Sequence, residues 1–187
     1  RVTLEPLDAE MGGAAWLVFD RPVTLQADDG KSYDLRVELA FRVKSVGAED
    51  LGRVTPLRQS SLVVFFPTAI PTNLGFLIQG PYRTTPAREN VRAGDPSNQK
   101  LVRATAELVV QSLGWLKENG MLTVSVLESL PISRDQFPTD GMFRPIFERV
   151  LNAIRTEAFL PTSTDENRNR DFVAGIDAKI GVTNNMT

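Results

Sequence analysis

The sequence predicts an α+β fold, an antiparallel or mixed sheet backed by long amphipathic helices. Three stretches carry that prediction. Apolar Tyr33, Leu35, Val37, Leu39, Phe41 and Val43 alternate with charged Asp34, Arg36, Glu38 and Arg42, the period-two mark of a strand with one face on a core. Leu62–Phe66 is a continuous apolar run, as in a strand covered on both faces. Between Asp95 and Gly120, Leu101, Thr105, Leu108, Val109, Leu113 and Leu116 recur at helical spacing. Strand groups followed by long helices segregate into layers.

In chain order, residues 1–13 read as an edge strand and a loop. Ala14–Phe19 is a short strand that Pro22–Gln26 continues beyond a bend. Asp28-Asp29-Gly30 is a turn signal, so the alternating strand after it should pair back as an antiparallel hairpin. Residues 47–59 are polar and read as a loop. Pro67–Asn73, with two prolines, reads as a connection, and Leu74–Gln79 as a strand. Asp95 suits a helix N-cap and Pro96 the first helical position. Asn119-Gly120 suits a left-handed C-terminal cap. A helix of roughly two dozen residues, about 35 Å long, can cross a sheet. Met121–Leu127 reads as a short strand and Ser133–Pro138 as a loop whose Phe137 folds back onto the core. Thr139 or Asp140 is a candidate cap for a second helix with Pro145 in its first turn and an apolar face of Met142, Phe143, Ile146, Phe147, Val150, Leu151 and Ile154. Residues 162–171 (TSTDENRNRD) carry no apolar side chain and read as a mobile linker. Residues 172–180 could add an edge strand or begin a following region that is cut short.

Composition excludes several function classes. A chain of 187 residues can bury a core, and its apolar and charged content is that of a soluble globular protein. A net charge of −2 argues against a dedicated nucleic-acid binder. With no histidine and no cysteine, a Ser-His-Asp triad, a histidine base, a disulfide and a thiolate zinc site are all excluded. No apolar run reaches the ~20 residues of a membrane span and no signal peptide opens the chain, so a cytoplasmic setting is expected. A start at Arg1 suggests a piece of a longer protein. Neither GxxxxGK[ST] nor GxGxxG occurs.

The stretch with the most chemistry runs from Gly75 to Val91, GFLIQGPYRTTPARENV. A strand leads through Gly80-Pro81 into a polar loop bearing Arg83 and Arg88 and ending just before the long helix. Loops presented in this way can offer charge to an anion. Arg88 reads as a solvated arginine, as a brace for Glu89 or Asp95, or as a phosphate contact. Arg83 is the runner-up for that last role. Thr84, Thr85 and Asn90 are candidate neutral donors to phosphate and equally ordinary turn residues. From Arg83 to Arg103, five basic residues face two acids, a local surplus that suits an anionic partner.

Phe65-Phe66-Pro67-Thr68 and Leu74–Val91 resemble a segment of bacterial ATP-binding proteins related to sacsin and, more distantly, to the ninety-kilodalton heat-shock chaperones of the GHKL ATPase superfamily. The resemblance covers roughly residues 15–162 and is most specific around the loop. It implies the middle-domain fold that follows the nucleotide-binding domain, a four-stranded sheet backed by helices, shared with a domain of a small-subunit ribosomal protein. It also implies that Arg88, paired in sequence with Glu89, reaches the ATP γ-phosphate in a pocket on the preceding domain. The Asn-bearing helix and the DxGxG box that hold magnesium and adenine in these ATPases are absent, since neither Asp95-Pro96 nor Asp140-Gly141 reproduces them.

The expectation is therefore an accessory module, residues 1–161, with a β-rich part at 1–60 and a strand–loop–helix part at 61–161, followed by a linker and extension at 162–187. Its partners would be a preceding GHKL nucleotide-binding domain and a client or partner protein, with no nucleic acid and no membrane. It would bind no cofactor or metal itself; ATP and magnesium would belong to the intact parent, an ATPase. The alternative is a non-catalytic protein- or nucleic-acid-binding module that uses the basic 83–103 surface.

Overall fold

The computed structural model describes residues 1–6, 14–26, 30–44, 52–87, 89–161 and 172–175. Its spine is the hairpin expected from the alternating stretch. Strands β2 (Ala14–Gln26) and β3 (Ser32–Lys44) pair antiparallel from Ala14 opposite Lys44 to Gln26 opposite Ser32. Pro22 faces Arg36 within the unbroken ladder, so the two apolar segments expected either side of a bend are one strand. Gly30 takes a φ of +79° at the turn; Asp28 and Asp29 lie outside the described residues.

Other strands extend this spine on both sides. β1 (Val2–Pro6) pairs antiparallel with β2 as an edge. Beyond β3 lie β4 (Arg53–Val54), on Val43 and Lys44, and β7 (Leu77–Gln79), on Glu38–Ala40. β5 (Ser61–Val64) runs parallel to β7, and β6 (Phe66–Pro71) closes the far edge against β5. The result is a mixed seven-stranded sheet in an α+β fold, larger than the four-stranded sheet that the resemblance implies.

Leu17, Phe19, Val23, Leu25, Val37, Leu39, Phe41 and Val43, all odd-numbered and so on one face of the hairpin, are buried, and α1 (Pro96–Glu118) packs on β2 and β3. Phe19 meets Trp115 of α1 edge-on at 5.5 Å between ring centroids. Helix α3 (Arg144–Thr156) packs on α1. α1 is thus enclosed on two sides, which is why Val102, Ala106, Val110 and Ser112 are buried along with the expected stripe. Its ends form as the sequence indicates. Asp95 Oδ1 accepts from the amides of Ser97 (2.8 Å) and Asn98 (3.2 Å). At the other end Gly120, with φ +69°, donates to Lys117 O (3.1 Å) while Met121 donates to Leu116 O (2.7 Å), the paired bonds of a Schellman cap.

Five local expectations are overturned. Met121–Leu127 is not a strand: Val124–Ser129 forms the short helix α2. Thr123, Val124 and Val126 favour a strand by propensity, but burial of Leu122, Val126 and Leu130 at four-residue intervals follows helical spacing. Pro67–Asn73 is not merely a connection, because most of it is β6. Its prolines, opposite Val63 and Ser61, are tolerated on an edge strand. Leu62–Phe66 is not one covered strand. Phe65 turns the chain with φ +58° and leaves Phe65 and Phe66 exposed at the tip. Leu74–Phe76 precede the strand proper, with Gly75 giving its amide to Ser129 O at 2.9 Å. α3 also starts later than expected: Phe143 rather than Thr139 or Asp140 occupies the cap position, with Pro145 in the first turn.

Arg134–Gln136 form a 3-10 turn after which Phe137 is buried against Phe147, as anticipated. Phe172–Val173 (β9) pairs with Leu160–Pro161 (β8). The linker expected at 162–171 lies outside the described residues. Among the described residues no helix is long and apolar enough to cross a membrane.

Candidate functional site

The loop between β7 and α1 is built from its stems inward. Gly80 donates to Val63 O at 3.2 Å as the strand ends. A Cβ on Gly80 would stand 2.9 Å from the Tyr82 ring and 3.3 Å from Val37. Glycine here lets the Tyr82 ring fold back beneath the chain. Tyr82 is buried, its hydroxyl 2.9 Å from Thr105 Oγ1 on α1. Burial pushes its phenol well above the ordinary tyrosine range, against a smaller lowering from the Thr105 bond.

Beyond Tyr82 the loop doubles back on itself. Thr84 and Val91 form an antiparallel bridge. Thr85 donates its amide to Asn90 O at 2.8 Å and accepts the Asn90 amide on Oγ1 at 3.3 Å. Thr84, Thr85 and Asn90 are therefore brought together, with Thr85 and Asn90 bonded to each other across the loop. Pro86, Ala87, Glu89 and Asn90 are exposed. Arg88 lies outside the described residues.

Arg83 is half-exposed and places Nη1 3.4 Å from Asp95 Oδ2. Asp95 thus caps α1 through one carboxylate oxygen and braces Arg83 through the other, the bracing role weighed above for a loop arginine. Arg92, Lys100 and Arg103 are exposed nearby.

The residue that gathers this loop is Asn98, which the sequence reading did not single out. It is fully buried. Its Oδ1 accepts the Arg83 amide at 2.8 Å, and its Nδ2 donates to Arg83 O at 2.9 Å and to Arg92 O at 3.1 Å. One carboxamide satisfies three backbone groups on both stems. Each would cost about 1–3 kcal/mol if buried and orphaned. A signal was present: Asn98 stands three and four residues before Leu101 and Val102, a polar side chain at an apolar position of the helix stripe.

A cleft of about 300 Å³ lies between the first turns of α1 and α3, lined in part by Gln99, Arg103, Asp140, Arg144 and Glu148. Arg144 is committed there to Glu148 (2.8 Å) and to Phe137 O (2.7 Å). A larger groove, about 390 Å³, runs over the helix-free face of the sheet and includes Trp16, Val18, Glu38 and Leu77 in its lining. Among the described residues no cluster of histidine, cysteine or carboxylate side chains is arranged to hold a metal ion. What the described part of the arginine loop can offer is a hydrogen-bonded pair of stems with the Arg83 and Arg92 side chains exposed. Comparisons with protein-family models, curated proteins and solved structures found no match in any of the three.

Proposed function

We propose that this chain is the accessory, middle or transducer-like domain of a chaperone-related GHKL ATPase. Its role is to supply an arginine to the phosphates of ATP held by a preceding nucleotide-binding domain. The observation that carries this reading is the loop itself, braced on the first turn of α1 by Asn98 and Asp95 with its basic side exposed. Arg88 is the residue assigned to the γ-phosphate, with Arg83 second. A guanidinium is always charged and its planar fork matches phosphate oxygens. An arginine supplied from outside a nucleotide pocket is worth about 10³–10⁵ in rate where GTPases use one. Carrying it on a separate domain makes turnover depend on docking, so that nucleotide state is relayed to surfaces that meet client proteins. ATP and magnesium belong to the pocket of the other domain.

The experiment is a calorimetric titration of Mg-ATP into the purified chain, with turnover assayed alongside. Neither binding nor hydrolysis is expected. Tight binding with turnover would place a complete site here and end this reading. A second reading, a non-catalytic binding module, is favoured by the exposure of Arg83, Arg92, Lys100 and Arg103 along one segment. Affinity for DNA or RNA that falls steeply with salt would select it.

A further inference from the structure

We propose that Asn98 is a positioning residue for the arginine loop: its buried carboxamide fixes both stems of the loop, and thereby the direction in which the loop offers its charge. This rests on the reading of the loop under Proposed function. The geometry is specific. Asn98 sits in the first turn of α1, and its own amide is held at 3.2 Å by the capping Asp95. Its side chain therefore projects from the best-fixed point of the helix end. From there it makes two bonds to the Arg83 peptide groups and one to Arg92 O. Arg83 and Arg92 begin and end the doubled-back segment, whose described interior residues are hydrogen-bonded through the Thr84–Val91 bridge and the Thr85–Asn90 pair.

No other side chain is well suited to this work. A carboxylate would keep the acceptor for the Arg83 amide but lose both donors, turning two attractive contacts with carbonyl oxygens into repulsive ones. An aliphatic side chain of equal size would fill the space and bond to nothing. Asparagine alone supplies one acceptor and two donors on so short a stem. The carboxamide is fully buried and makes these bonds out of contact with solvent. The two stems are thus held before any partner docks, which is what a group delivered to another domain's reaction requires. A misplacement of about 1 Å can cost on the order of 10²-fold in rate.

The test uses the full-length protein and three measurements. Hydrogen exchange on the unaltered protein should show the Arg83 amide protected together with the first buried amides of α1; rapid exchange of Arg83 would overturn the clamp without any substitution. In Asn98→Leu and Asn98→Ser the Arg83 amide should exchange faster while the middle of α1 keeps its protection. The rate at saturating Mg-ATP should fall about ten- to hundred-fold with KM for ATP unchanged, because the nucleotide is bound elsewhere. Faster loop exchange with an unchanged rate, in a protein whose rate Arg88→Ala does lower, would overturn the positioning role. Should Arg88→Ala itself leave the rate unchanged, the ATPase reading fails. The positioning role fails with it, while the exchange data still report whether Asn98 orders the loop.

Discussion

The Tyr82 hydroxyl is hydrogen-bonded to Thr105 Oγ1 at 2.9 Å. Thr105 Oγ1 also lies 3.0 Å from Leu101 O and donates to that carbonyl. With its proton there it accepts from the phenol; opposite a phenolate it can turn and donate. The chain leaving the sheet is thereby bonded to the middle of α1 before it turns into the arginine loop.

Tyr82→Phe removes that donor and leaves Thr105 still bonded to Leu101. The expected cost is about 1 kcal/mol, read from urea unfolding near neutral pH. Alkaline pH gives a sharper signature. The Tyr82 pKa is raised in the folded chain, so its contribution is complete below the unfolded tyrosine value of about 10. It is lost as pH rises from there toward the folded value, because the unfolded chain releases the proton first. Stability should fall through that window, and Tyr82→Phe should flatten the fall. In a Tyr33→Phe background, phenolate absorbance should appear only together with unfolding.

Two glycines should respond to alanine for different reasons. A Cβ on Gly75 would stand 2.5 Å from Ser129 Cα, a backbone atom at the end of α2, so Gly75→Ala must displace a helix end. We expect a loss of about 1–3 kcal/mol. Gly120 has nothing within 4 Å of an added Cβ, but its φ is +69°. Gly120→Ala should cost about 1 kcal/mol through conformation alone. Chemical denaturation of the two variants, with crystal structures of each, would show main-chain movement at 129 in the first and none near 120 in the second.

Asp95 joins two roles that substitution can separate. Asp95→Asn keeps a side-chain oxygen for the cap and removes the charge opposite Arg83. Because Arg83 is half-exposed, that pair is worth little, and stability should change by less than about 1 kcal/mol. Asp95→Ala removes the cap as well and should cost about 0.5–2 kcal/mol. Comparing unfolding midpoints at low and high salt checks the division: the cap contribution should be insensitive to salt.

What the sequence made legible was whatever depends on local pattern. The alternation appears as expected from Leu35 to Val43, with Tyr33 exposed instead of facing the core, and the Asp95-Pro96 start and the Asn119-Gly120 stop each appear as expected. What stayed hidden depends on neighbours far along the chain. α2 is helical because Leu122, Val126 and Leu130 are buried together, against the strand propensity of its β-branched residues. β6 exists because Pro67 and Pro71 fall on a sheet edge, a position that no local window reveals. In the loop, Thr85 and Asn90 were visible as turn chemistry. Asn98 was passed over because its partners, Arg83 and Arg92, lie 15 and 6 residues away along the chain.

The proposed role of the chain is to deliver an arginine to another domain's nucleotide. The most direct measurement is ATP turnover by the full-length protein at saturating Mg-ATP, comparing Arg88→Ala and Arg83→Ala with the unaltered protein. The account predicts that Arg88→Ala lowers the rate at least about ten-fold, within the range an added arginine commands elsewhere, with ATP affinity unchanged and a smaller effect from Arg83→Ala. Full turnover in Arg88→Ala, or a full-length protein that neither binds nor hydrolyses ATP, would contradict it.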